Sequence, residues 1–217
     1  MSAPTTVSFR LNGHDQLWMG DPSARLLDVL RDGLGQTDVK CGCREGECGA
    51  CSVLLDNQLV NSCLVAMGRV AGCEVTTVQG YSQTPGFALL DAAFAQAGAV
   101  QCGFCTPGMV LAGAALLHQD PNPSEDEIRT AISGNLCRCT GYLAIVRAIA
   151  DAAQKAAALV EPGGGAGARA DAGARPGAGP SAGAGVGADA GQDAGPDAGQ
   201  DAVPSAGPSA GSGGAIW

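Results

Sequence analysis

The first apolar residues of the chain recur at every second position. Val7, Phe9 and Leu11 alternate with polar neighbours, Asn12-Gly13 is a hairpin turn signal, and Gln16 to Met19 supply a returning strand. Asp21-Pro22-Ser23 then introduces Leu26, Leu27, Leu30 and Leu34, and Gly33 and Gly35 stop the run, which predicts a short amphipathic helix. Strands are expected at Ser52 to Leu55 and Leu59 to Cys63, joined by an Asp56-Asn57 turn, with a last strand through Val75, Thr76, Thr77 and Val78. Strands around one helix make a small α+β domain over residues 1–80.

After Gly80 the period changes. Phe87 to Ala97, Gly108 to Gln119, Glu125 to Ser133 and Leu143 to Leu159 carry Ala, Leu, Ile and Val at helical spacing, and Ser124-Glu125-Asp126-Glu127 is a capping-box signature. Residues 81–161 are therefore expected to form a four-helix domain. Met109 to Leu117 is apolar on nearly every face, which places it inside the bundle, and it is too short to span a bilayer.

Composition removes the rest of the chain from the folded part. Pro162 to Trp217 holds half of the 34 glycines and half of the 12 prolines, and it repeats in fours from Asp189-Ala-Gly-Gln to Ser209-Ala-Gly-Ser. A period of four excludes collagen, and Gly or Pro interrupts any helix at roughly 1 and 3 kcal/mol each relative to Ala. Residues 162–217 read as a disordered tail. The net charge of −9 makes nucleic acid a poor partner. Met1 to Val7 hold no basic run, apolar stretch or twin arginine, so the expectation is a soluble cytoplasmic protein without membrane contact. In a reducing compartment ten cysteines argue for metal rather than disulfides.

Those cysteines fall into two constellations. Cys43, Cys48 and Cys51 have the x4, x2 spacing with which plant-type ferredoxin loops hold a [2Fe-2S] cluster. Gly42, Gly46 and Gly49 let the backbone come close and turn its N–H groups towards sulfur. The fourth ligand must come from outside the loop. Cys63, at the end of the second predicted hairpin, is favoured over Cys73, because a hairpin returns its end to the loop from which it started. Cys73 then reads as a small buried residue and Cys41 as a bystander. The second constellation pairs Cys102 and Cys105 with Cys137 and Cys139, each pair in a turn just before a predicted helix whose N-terminus favours anions. Spacing alone leaves zinc open there, since zinc also takes four thiolates in paired motifs.

The stretches GCREGECGACSVLLD, NSCL, TTVQG, QCGFCTPGM and GNLCRCTGY together resemble the iron-sulfur subunits of molybdenum hydroxylases, the family of xanthine dehydrogenase, aldehyde oxidoreductase and carbon monoxide dehydrogenase. They span Val7 to Ala153; the one departure, Asn57 where relatives commonly have glycine, is mild because asparagine tolerates positive φ. The resemblance implies a β-grasp ferredoxin-like domain followed by a helical [2Fe-2S] domain. It implies an electron path from a molybdenum-pterin site on a large partner subunit, through the helical-domain cluster and then the ferredoxin-domain cluster, to FAD on a third subunit. By the same resemblance Gln101 and Cys139 lie near the pterin, and the loop and NSCL stretch tilt the substrate towards a purine or another N-heterocycle. No residue arrangement for substrate turnover is present, and His14 and His118 read as solvent-facing. The readings in competition are an electron-transfer subunit, a free-standing two-cluster ferredoxin, and a structural zinc or disulfide protein.

Overall fold

The computed structural model describes residues 5–160, so the expectation of a disordered tail lies outside the described residues. Two antiparallel strands, β1 (Thr5–Leu11) and β2 (His14–Gly20), meet at the Asn12-Gly13 turn, where both residues have positive φ. The second hairpin joins β3 (Ser52–Leu55) to β4 (Gln58–Asn61) through Asp56 and Asn57, again both left-handed. β5 (Glu74–Thr76) runs parallel to β1 and antiparallel to β3, giving the order β2-β1-β5-β3-β4. Val7, Phe9, Leu11, Val53 and Val75 point from one face onto Leu26, Leu27 and Leu30, so the sheet closes over a single short helix.

That helix is not the regular one predicted. α1 (Leu26–Asp28) passes into a wider π turn at Val29–Gly33, in which Leu34 N–H reaches the Val29 carbonyl at 2.9 Å. The widening lets Val29 be buried together with Leu26, Leu27 and Leu30, a broader arc than one regular helical stripe covers. Two strands also end early. β4 stops at Asn61 and Ser62–Leu64 forms a 3₁₀ turn, pinned by the Ser62 hydroxyl donating to the Cys51 carbonyl at 2.7 Å. β5 stops at Thr76, because Thr77 gives its N–H to the Asn12 side chain at 2.8 Å and Val78 opens a helical turn, α2 (Val78–Tyr81).

The helical part comprises α3 (Pro85–Gln96), α4 (Thr106–Gln119), α5 (Glu125–Ala131) and α6 (Leu143–Val160). α4 is buried from Gly108 through Ala115 and again at Leu117, as its unbroken apolar sequence requires, and it also packs on β3. Gly113 leaves room for Ile149 of α6, whose side chain would stand 3.2 Å from an added Cβ. Leu54 and Tyr81 join this core, while the other buried apolar residues of the sheet form their own.

The predicted capping box is present. Ser124 Oγ accepts from Glu127 N–H at 3.4 Å, and the Glu127 carboxylate accepts from Ser124 N–H at 2.7 Å. The Ser124 hydroxyl and N–H hold the Glu127 carboxyl below its ordinary value. The stabilisation is thus complete above the ordinary carboxylate range and is lost as pH falls through the lowered value. Ser124→Ala is expected to lower unfolding free energy by about 1 kcal/mol at neutral pH, measured by urea titration.

Candidate metal centres

The first cysteine loop is tied at its base by Lys40 N–H to the Ala50 carbonyl at 3.2 Å, and held on the π turn by Arg31, which donates to the Val39 carbonyl at 2.5 Å. Between these anchors Arg44, Gly46 and Gly49 all have positive φ, and the chain curls around its own sulfurs. Glu45 and Glu47 N–H donate to Cys43 Sγ at 3.4 and 3.3 Å, and Cys43 N–H donates to Cys48 Sγ at 3.4 Å. Gly42 is required for this closure, since a Cβ there would stand 2.7 Å from Cys48 Sγ.

Cys63 enters from the 3₁₀ turn after β4. Its thiol is buried, hydrogen-bonded to Cys51 and faced by the Gly46 N–H, with Cys43 close enough to interact electrostatically. Asn61 fixes the approach by donating to the Gly46 carbonyl at 2.8 Å. The structure therefore brings Cys43, Cys48, Cys51 and Cys63 together and leaves Cys73 outside. Cys73 is half-buried rather than buried, beside Asp56 and with its thiol towards the Arg69 carbonyl at 3.5 Å. It sits at the entry to β5, where a tight turn exposes one side of the residue. Cys41 Sγ accepts from Arg44 Nε at 3.2 Å, while the same guanidinium pairs with Asp28 at 3.0 Å.

The electrostatics divide this set. The Glu45 N–H leads the groups that bring the Cys43 thiol down to about 7, whereas burial, followed by the Cys51 neighbour, pushes Cys63 up to about 11. Two ends of one thiol set thus differ in how readily they become thiolate; a bound cation offsets the penalty at the buried end.

The second set forms at the start of α4 and in the loop between α5 and α6. Cys139 Sγ lies 3.7 Å from Cys102 Sγ, and Cys105 is hydrogen-bonded to Cys137. Thr140 Oγ1 donates to Cys137 Sγ at 3.1 Å, and Tyr142 OH accepts from Cys137 N–H at 2.8 Å. Burial raises Cys137, but the Thr140 hydroxyl and N–H, the Cys139 N–H and Cys105 outweigh it and bring the thiol to about 7. Burial, then the Cys137 neighbour, pushes Cys105 up to about 12. Cys102 and Cys139 are exposed, as is Gln101, on a rim that also exposes Val100, Phe104, Leu136 and Leu143. His14 and His118 are exposed and belong to neither set.

Each set fits a binuclear iron-sulfur core by its donors: four thiols with backbone N–H groups aimed at sulfur. Among the described residues no three Cys, His, Asp or Glu side chains enclose a point as they do around a single ion. A two-iron cluster does not ask for that, because each iron takes two protein thiolates and two bridging sulfides. Pattern reading missed the polar residues that shape the sets: Ser62, Thr140, Tyr142 and Asn135. Asn135 is buried and donates to the Gly49 carbonyl at 3.0 Å, a contact that its place in the GNLCRCTGY stretch does not signal.

Two family profiles match, and they meet where the sheet gives way to helices. The 2Fe-2S iron-sulfur cluster binding domain matches residues 9–79, and the [2Fe-2S] binding domain residues 77–150. The nicotinate dehydrogenase small FeS subunit of Eubacterium barkeri is 45% identical over 152 residues, which cover 70% of this chain and 97% of that protein. The chain belongs to the iron-sulfur subunits of the molybdenum hydroxylases. The xanthine dehydrogenase iron-sulfur-binding subunit of Escherichia coli O157:H7 is 40% identical over 155 residues, 69% of this chain and 95% of that one. Among solved structures, quinoline 2-oxidoreductase from Pseudomonas putida 86 superposes with a TM-score of 0.67 at 40% identity, covering 74% of this chain and 100% of the matched chain. This iron-sulfur subunit accordingly binds two [2Fe-2S] clusters, and each matched segment contains one of the two thiol sets.

Proposed function

We propose that Cys43, Cys48, Cys51 and Cys63 ligate one [2Fe-2S] cluster and Cys102, Cys105, Cys137 and Cys139 the other, and that the chain conducts electrons from a molybdenum-pterin subunit to an FAD subunit. The observation that carries this reading is the exposed apolar rim around Cys102 and Cys139. When bound, the clusters supply one-electron chemistry. The rim residues Val100, Phe104, Leu136 and Leu143 would dock the large subunit, and Gln101 and Cys139 would meet its pterin at the protein's edge. At the first set Leu64 is exposed and packs close to Gly46, which offers a second apolar contact for the FAD subunit.

Relatives named for nicotinate, xanthine and quinoline support a nitrogen heterocycle as the substrate of the assembly, with all substrate contacts on the large subunit. No described helix is long and apolar enough to cross a membrane, and ten free thiols suit the cytoplasm.

Purification from the native source is expected to recover the chain with a molybdenum-containing and a flavin-containing subunit. The chain is expected to hold about four irons and four acid-labile sulfides, two of each per cluster, with two distinct EPR signals on reduction. A colourless, sulfide-free chain would overturn the cluster assignment, and a chain recovered alone with both clusters would favour a free-standing carrier.

A further inference from the structure

The two thiol sets are stitched together by hydrogen bonds between the loops that carry them. Leu136 N–H, one residue before Cys137, donates to the Cys48 carbonyl at 2.9 Å. Asn135 Nδ2 donates to the next carbonyl, that of Gly49, at 3.0 Å and to Ser52 Oγ at 3.2 Å. Ser52 Oγ donates to the Gly49 carbonyl as well, at 2.7 Å. Gly108 on α4 closes the remaining side, since a Cβ there would stand 2.5 Å from the Gly49 oxygen and 2.9 Å from Asn135 Nδ2. Asn135 is only 4% exposed, and this amide lies on the seam between the two loops. A buried amide with a specific partner fixes geometry, because any other arrangement leaves polar atoms unpaired.

We propose that Asn135 is a positioning residue for electron passage between the two cluster sites. It holds the Cys48 carbonyl on the Leu136 N–H, so that Cys48 and Cys137 are joined by backbone and a single hydrogen bond. Tunnelling weakens less steeply along covalent bonds and short hydrogen bonds than across a van der Waals gap. One electron leaves the Cys102, Cys105, Cys137, Cys139 set and arrives at the Cys43, Cys48, Cys51, Cys63 set; no bond breaks and no proton moves. The proposal rests on the ligand assignment made above.

The test uses the full chain loaded with both clusters and a substoichiometric pulse of methyl viologen radical cation as the reductant. Rapid-freeze EPR follows redistribution of the electron between the two signals. Asn135→Leu, and separately replacement of the Leu136 amide by an ester, are each expected to slow this concentration-independent step by about tenfold, a typical effect of losing an outer-shell partner. Iron content and both midpoint potentials stay at wild-type values, which a merely structural role does not predict. Wild-type rates in both variants, with both clusters present, overturn the proposal. Should Asn135→Leu shed a cluster, the ester variant decides alone, a slowed step supporting the proposal and an unchanged one overturning it. A wild-type chain that takes up no iron sinks the ligand assignment and this proposal with it, a result distinct from loaded clusters that equilibrate at an unchanged rate.

Discussion

Cys63→Ser is expected to lose about half of the chain's iron and one of its two EPR signals, while Cys73→Ser keeps both, because a [2Fe-2S] cluster needs four thiolates. Cys63 is buried against Cys51, faces the Gly46 N–H and is carried there by a 3₁₀ turn that the Ser62 hydroxyl fixes to the Cys51 carbonyl. Cys73 turns its thiol to the Arg69 carbonyl beside Asp56 and has no hydrogen bond to any member of the first set. Serine keeps the size at either position and removes only the soft donor. Iron and sulfide analysis with low-temperature EPR reads the outcome directly. The reverse pattern, with the signal lost in Cys73→Ser, would move the fourth ligand to Cys73.

The hairpins and the helices were legible because local chemistry dictates them. Asn12-Gly13 and Asp56-Asn57 tolerate the left-handed backbone their turns require, and Ser124 with Glu127 caps α5 from within one turn. Cysteine spacing likewise pointed to both thiol sets, since three or two cysteines of each are close in sequence. What escaped depends on approach from elsewhere. The π turn at Val29–Gly33 follows from the number of apolar residues that must fit under one sheet, and the early end of β5 from an asparagine in the first hairpin that takes the Thr77 N–H. Val75 to Val78 reads as strand because Val and Thr favour it, but a single tertiary hydrogen bond at Thr77 redirects the backbone. Asn135 escaped for the same reason, since nothing local shows that Gly49 will stand opposite it.

Three glycine substitutions separate backbone strain from loss of that seam. Gly103 has φ of +80° and nothing within 4 Å of an added Cβ, so Gly103→Ala should cost only the left-handed penalty, about 1–2 kcal/mol. Gly108 is helical and carries no such penalty, but its Cβ would strike the Gly49 carbonyl at 2.5 Å, an overpacking cost of about 1–3 kcal/mol. Gly49 combines the two: φ is +65°, and a Cβ would meet the Gly134 carbonyl oxygen and stand 2.6 Å from Asn135 Nδ2. Gly49→Ala is therefore expected to be the most damaging, at about 3 kcal/mol or more if the two costs add. Urea unfolding of the iron-loaded chains, followed by the visible cluster absorption, ranks the three. Because Gly49 lies between Cys48 and Cys51 and also presses on the loop of Cys137, its alanine variant should lose absorption from both clusters in one transition. Loss confined to the first cluster would show that the two thiol sets unfold independently, and would set a limit on how firmly Asn135 couples them.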